Sequence, residues 1–207
     1  MEQIDQGSEA WFQARLGKAT GSRIADIIAK TKTGYSTSRE NYMAQLVCER
    51  MTQKVAESYS NSAMAWGTET EPLARAAYEV KTGYVVDQIG FVDHPTIAMT
   101  GASPDGLIEN SGMIEIKCPA NTANHIETLL SGKVPTKYLT QMTWQMCCTG
   151  RHWTDFVSYD PRMPENLQLF IKRVEYDPKY AAELEQEVIK FLDEVDGKIK
   201  QLEKLNG

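Results

Sequence analysis

No stretch of this 207-residue chain approaches the run of about 18 apolar residues that a membrane span requires. The opening MEQIDQGSEAWF has neither a basic start nor an apolar run, so no secretory signal is expected. The expectation is a cytoplasmic protein with no membrane contact. Cysteine is scarce and unpatterned: Cys48, Cys118, Cys147 and Cys148 form no CxxC pair and no Cys/His spacing of the zinc kind. Reduced thiols fit best, and the adjacent Cys147 and Cys148 read as small packing groups in a helix. His94, His125 and His152 share no spacing with one another and have no nucleophile partner, so histidine-dependent catalysis is not expected. A basic tract is missing too, since 22 Lys+Arg stand against 28 Asp+Glu for a net charge of −6. That weighs against a non-specific nucleic-acid binder, whose affinity comes mostly from many phosphate contacts. It leaves room for an enzyme that gathers a few cations in one cleft and fixes divalent metals with carboxylates.

Repeats, low-complexity tracts and interdomain linkers are absent as well, so one domain over 1–207 is the expectation. The first third reads as helices. Thr20 or Ser22 is placed to cap RIADIIAK, and Ser38 precedes RENYMAQLVCERM with its helical apolar stripe. Between them, KTKTGYSTS at 30–38 is polar and without apolar period, which predicts a mobile loop. NSAMAWGTETEPLARAAYEVKTG predicts a helix closed by Gly83, with Pro72 either restarting or kinking it. The middle turns to strands: YVVDQIGFVDH, TIAMTGA, GLIEN and GMIEIKCP. Two helices follow, NTANHIETLLSGK and TKYLTQMTWQMCCTG, then the strands HWTDFVSYD and LQLFIKRVEYD. A long helix from about Pro178 carries Tyr180, Leu184, Val188, Phe191, Val195, Ile199 and Leu202 on one stripe. The pattern predicts an α/β fold with a central mixed sheet flanked by helices.

One constellation carries chemistry. Asp105 sits at the glycine-flanked turn SPDG, and ten residues on, MIEIK places Glu115 and Lys117 on one strand face. Burying Glu and Lys in such a strand is costly unless they are paired or bind metal. Two carboxylates with an ammonium beside them make a hard-oxygen site for Mg²⁺ or Mn²⁺, which polarises a phosphodiester and activates water. A partly buried Asp-Lys or Glu-Lys ion pair is the alternative on this motif alone.

That spacing is the PD-(D/E)xK nuclease pattern. Six ordered blocks extend the match: EAWFQARLGKATGS at 9–22, AMAWGTETE at 63–71, SPDG at 103–106, EIKCP at 115–119, YLTQMTWQM at 138–146 and YDPRM at 159–163. Together they resemble the lambda-exonuclease and YqaJ-type alkaline-exonuclease family over roughly residues 6 to 195. The resemblance implies a restriction-endonuclease-like core with a helical N-terminal region and a long C-terminal helix. It implies Asp105, Glu115 and Lys117 as catalytic residues, and Glu71, Asp105, Glu115 and the Ile116 carbonyl as ligands of two Mg²⁺ ions, with Mn²⁺ able to substitute. Pro72 directly after Glu71 departs from the lambda enzyme and puts the aim of Glu71 in question. Arg15, Ser22, Ser103 and Gln141 match the family's pocket for a 5′-phosphate, a chemistry that a guanidinium with hydroxyl and amide donors suits.

The implied activity is 5′-to-3′ digestion of one strand of linear double-stranded DNA from 5′-phosphorylated ends. It would release 5′-mononucleotides and leave 3′ single-stranded tails for recombination. The implied partners are duplex DNA, two further copies in a homotrimer ring, and a single-strand DNA annealing protein in a bacterial cytoplasm. Competing readings are an endonuclease or an other-polarity recombination nuclease on the same core, and a non-catalytic DNA-binding scaffold. The intact triad argues against the scaffold, and the phosphate-pocket residues argue against an internal cutter. Trp11 and Trp66 read as base-stacking or packing groups, Trp144 and Trp153 as packing. Lys30, Lys32 and Arg39 flank a segment placed to reach a duplex backbone, or only solvent.

Overall fold

The computed structural model describes residues 5–55 and 62–205. Seven α-helices and ten strands follow in chain order among them: α1 (Glu9–Arg15), β1 (Ala19–Thr20), α2 (Ile24–Ile28), β2 (Lys30–Thr31), β3 (Gly34–Tyr35), α3 (Thr37–Thr52) and α4 (Ser62–Thr82). Then come β4 (Val86–Asp87), β5 (Val92–Asp93), β6 (Thr100–Ala102), β7 (Gly106–Ile108), β8 (Gly112–Lys117), α5 (Thr122–Ser131), α6 (Thr136–Thr149), β9 (Trp153–Tyr159), β10 (Leu169–Glu175) and α7 (Pro178–Glu203). The main sheet has the order β10-β9-β8-β7-β4, mixed in sense: β8 runs parallel to β9 while the other pairs are antiparallel. A smaller sheet, β1-β6-β5, joins the N-terminal region to the centre. The mixed α/β architecture with its long terminal helix is the one the sequence predicts.

Strand β8 shows how the sequence sets the layers. Its alternate residues point to opposite faces. Ile114 and Ile116 join Ala74 and Tyr78 of α4, with Val157 and Tyr159 of β9, in one apolar cluster. On the other face Glu115 turns toward α6. A second core packs α2, α3, α6 and α7 around Trp144, Leu46 and Phe191. Of the α7 stripe, Leu184, Val188, Phe191 and Val195 are buried while Leu202 at its end is exposed. The helix opens with Pro178 in its first turn, capped by the Asp177 carboxylate on the N–H groups of Lys179 and Tyr180. Asp155, buried in β9, accepts Tyr78 Oη at 2.7 Å and both arms of Arg173 at 2.8 Å, which ties α4, β9 and β10 together.

Several local expectations are corrected. The segment 30–38 is not a free loop: β2 and β3 form a hairpin pinned to α7, where Glu187 accepts Tyr35 Oη at 2.6 Å and Lys30 Nζ at 3.1 Å. Arg39 does not flank it as a DNA-reaching cation. It is buried, donates to the Ile27 carbonyl and pairs with Glu194 at 2.6 Å. Neither Thr20, Ser22 nor Ser38 caps a helix through its side chain; α2 follows a 3-10 turn over Gly21–Arg23, and α3 begins after Ser36. The helix α4 runs on through Pro72, which lies inside it, and closes at Gly83 (φ 76°), whose N–H reaches Glu79 O at 2.8 Å. The predicted start at Asn61 lies outside the described residues. YVVDQIGFVDH divides into β4 and β5, which belong to different sheets, and TIAMTGA becomes extended only after Met99, whose φ is 60°.

Candidate active site

The turn before β7 and the end of β8 converge because one backbone bond fixes them: the Ile116 N–H donates to Asp105 Oδ2 at 2.6 Å. Gly106 is required beside it, since a Cβ there would lie 2.2 Å from Val86 Cγ1 and push β4 off β7. Glu115 is fully buried, and both of its oxygens are engaged. Gln141 Nε2 donates to Oε1 and Gln145 Nε2 to Oε2, each at 2.6 Å, one turn apart on α6. Lys117 Nζ closes an ion pair on Oε1 from the same strand face.

Electrostatically this is a crowded acidic centre. Burial, then the charge of Glu115, push the Asp105 carboxyl well above the usual carboxylate range; Lys117 opposes, Glu71 adds to the rise, and the Ile116 N–H opposes. Burial alone would lower the Lys117 pKa, but the charges of Glu115 and Asp105 and the bond to Glu115 reverse it, so the ammonium is held charged. Lys117 is therefore a hydrogen-bond donor and fixed positive charge, not a free base. Glu71 projects from α4 with its Oε1 paired to Arg75 Nη2 at 2.6 Å. Two converging carboxyl groups, one of them kept from ionising by burial and by the other, with one compensating ammonium are the oxygen donor set a hard divalent cation suits. Cys118, next to Lys117, is pushed up to about 12 by burial and by the Glu71 and Asp105 charges, so it remains a thiol.

Among the described residues, the ligand-type side chains whose atoms lie mutually within 4.8 Å are a different set, His94, Cys147 and Glu185. Their chemistry does not suit a metal. His94 Nδ1 accepts the N–H groups of Thr96 (3.3 Å) and Ile97 (3.1 Å), so the ring proton belongs on Nε2, the atom facing Cys147 and Glu185. A metal on Nε2 would move that proton to Nδ1, against two backbone donors. Burial also pushes the Cys147 thiol up to about 11, with the Glu185 charge adding to it.

Glu71 lies in the wall of a cleft of about 950 Å³ that also displays Arg15, Ser22, Arg23 and Arg75. Arg15 ends α1, and its guanidinium stands 3.9 Å over the Trp11 ring. The same indole donates to Ser103 Oγ at 2.9 Å, two residues before Asp105. Trp11 thus joins Arg15, in the cleft wall, to Ser103 behind it through separate contacts. The following turn is locked at Gly17 (φ 66°), whose N–H meets Glu49 Oε2 at 2.9 Å and whose carbonyl accepts Arg50 Nε at 2.7 Å. Burial lowers the Arg15 pKa against the raising influence of Tyr42 and Glu49, yet a guanidinium remains charged at any working pH.

The structure thus brings Asp105, Glu115 and Lys117 together, with Glu71 near enough for its charge to act on Asp105. It sets Arg15 and Ser22 in one cleft and links Ser103 to it through Trp11. Gln141 donates to Glu115. Sequence reasoning missed Gln145, whose four-residue spacing from Gln141 in YLTQMTWQM was the available signal, and it missed the joining role of Trp11. Trp66 lies under Arg162, whose guanidinium is 4.5 Å from its ring centre. Arg162 in turn donates to the Ala120 (2.9 Å) and Pro119 (3.0 Å) carbonyls just past β8.

A protein family described as the YqaJ-like viral recombinase domain matches residues 10–152. The chain is similar to the crystal structure of an alkaline exonuclease from Laribacter hongkongensis, with 51% identity and a TM-score of 0.90 over 96% of this chain and 98% of that one. The same enzyme in complex with dAMP matches equally well. A phage-related exonuclease from Haemophilus somnus 129PT shares the fold, with a TM-score of 0.71 at 14% identity over 89% of this chain and 96% of that one. No protein with a curated description matches.

Proposed function

Given that the chain belongs to the YqaJ-like viral recombinase family and is a nuclease of the alkaline-exonuclease type, we propose that it is a metal-dependent 5′-to-3′ exonuclease. It digests one strand of linear duplex DNA from a 5′-phosphorylated end. The observation that carries the reading is the buried Glu115, clamped by Gln141, Gln145 and Lys117 beside Asp105, next to a cleft walled by Arg15 and Ser22. Asp105, Glu115 and the Ile116 carbonyl would hold one Mg²⁺ and Glu71 would help hold a second, with Mn²⁺ able to substitute. The ions would polarise the scissile phosphate and lower the pKa of the attacking water.

The protein's own groups do the rest. Arg15, Ser22 and Ser103 hold the terminal 5′-phosphate, so the anchored end sets which strand enters. Gln141 and Gln145 keep the Glu115 carboxylate aimed. Lys117, held as an ammonium, orients the attacking water and offsets charge developing on the phosphate. The proton the water loses is balanced by one taken up by the leaving 3′-oxygen from solvent. Water attacks phosphorus and the 3′-oxygen of the first nucleotide leaves, which frees a 5′-mononucleotide and puts a new 5′-phosphate on the shortened strand. Each turnover therefore regenerates the handle that Arg15 recognises. The dAMP complex of the Laribacter relative supports a mononucleotide product. A ring of three copies around the DNA is part of this reading, as are a 3′ tail handed to an annealing protein and a single folded domain.

The test is digestion of an end-labelled linear duplex with and without a 5′-phosphate, in Mg²⁺ and in EDTA, with Asp105→Ala as the blank. Mononucleotides should come from the 5′ label first, in Mg²⁺ only, and about tenfold or more faster with the phosphate, the value of one charge-assisted bond set. Release from the 3′ end, or internal cutting, overturns the reading.

A further inference from the structure

Lys117 also lies in the wall of a second cleft, of about 450 Å³, which the phosphate anchor and the carboxylates do not line. Lys133, Lys137, Tyr138, Phe156 and Ser158 share that wall. The Tyr138 and Phe156 rings stack at 5.6 Å and 26°. Lys117 and Lys137 approach the Tyr138 ring at 5.1 and 4.7 Å. Glu127 is the one carboxylate in the lining, against three lysines. Among the described residues eleven ion pairs are formed, and Lys133 and Lys137 are in none of them. In a chain of net charge −6, a cleft with an aromatic wall and two lysines outside every ion pair is an exception that suits an anionic, ring-bearing ligand.

We propose that this cleft is a subsite for single-stranded DNA, taking the nucleotides on the 3′ side of the cut. The inference rests on the polarity proposed above. If the terminal phosphate sits with Arg15 and the scissile phosphate at Asp105 and Glu115, the uncut strand continues past Lys117. Lys133 and Lys137 meet its phosphates, and the exposed part of Tyr138 offers a stacking face to a base. The volume falls within the range of about 300–1,000 Å³ usual for small-ligand sites, enough for about one nucleotide at a time. Lys117 then serves both sides: its ammonium pairs with Glu115 and its stem borders the cleft that guides the strand.

The experiment uses the full chain and a Lys133→Ala/Lys137→Ala double variant, neither residue being part of the proposed catalytic or anchoring set. Binding of 5′-phosphorylated single strands of two and of six nucleotides is measured by anisotropy in Ca²⁺ across a salt series. The variant should bind the six-nucleotide strand about tenfold more weakly, with the log–log salt slope shallower by about 1.4, the value for two contacts on a single strand. It should bind the dinucleotide like the wild type, since that ligand carries no phosphate beyond the scissile one for Lys133 and Lys137 to meet. An unchanged slope overturns the proposal, as does an equal loss on both lengths. Weaker binding of free dAMP with the six-nucleotide strand unaffected would make the cleft a product site and also overturn it. The two readings fail separately. Absence of digestion by the wild type sinks the nuclease reading, whereas unchanged strand binding in the variant sinks the cleft.

Discussion

At the residue scale, Trp11 does two jobs with two different parts of its ring system. Its face carries the Arg15 guanidinium at 3.9 Å, and its indole N–H holds Ser103 at 2.9 Å. Trp11→Phe keeps an aromatic face and removes the donor, which costs about 1 kcal/mol, or roughly fivefold. Trp11→Ala removes both and adds the cation–π loss of about 0.5–2 kcal/mol. The expected outcome is a graded rise in KM for 5′-phosphorylated duplex, Ala above Phe, with kcat nearly unchanged and little effect on a 5′-hydroxyl end. An equal defect on both ends would place Trp11 in the fold instead of the anchor. Polar partners of this kind are where sequence reading ran out. The chain displays Trp11 and Ser103 plainly, but they are 92 residues apart, and nothing local joins them.

At the scale of elements, the end of β8 is held by a turn that follows β9. Asp160 is buried and receives Arg162 Nε at 2.8 Å and Nη2 at 2.7 Å, while Arg162 reaches back to Pro119 and Ala120. Burial pushes the Asp160 carboxyl up, but the bonds from Arg162 and Thr122 outweigh it and bring it down to about 2. A depressed carboxylate contributes stability that is present above its unfolded value near 4 and lost as pH falls through its folded value. The pair should therefore contribute about 2 kcal/mol at neutral pH, fading between about pH 4 and pH 2. Asp160→Asn should melt lower than wild type at pH 7, with the gap closing over that window; a constant gap would contradict the assignment. Elements themselves were legible wherever periodicity was strong: β8, α6 and α7 stand where their patterns put them. The hairpin at 30–38 was not, because its order comes from Glu187 and Lys190 of α7, about 150 residues away. The acidic centre was legible because its three residues lie within a thirteen-residue span, 105–117, whereas the clamp on Glu115 comes from α6.

At the scale of the whole molecule, the proposed ring has to be reconciled with a net charge of −6. An acidic protein gains little from many phosphate contacts, and encirclement replaces affinity with topology. The surface needed for self-association is apolar. On the outer side of α4, Leu73 is 56% exposed and Val80 88%, with Val85 just beyond at 72%. Residues 73 and 80 are two turns apart on one helical face, opposite the buried Ala74 and Tyr78 that pack on the sheet. Exposed apolar side chains on one helix face are what self-association would cover. Leu73→Asp/Val80→Asp should leave the fold and the metal site intact, since neither side chain touches the core. The variant should sediment as a monomer where the wild type sediments as a trimer at micromolar concentration. It should still cleave a short duplex, but release the strand after few cuts. A wild type that is monomeric and fully processive would remove the ring from the account, and a variant that stays trimeric would move the interface off α4.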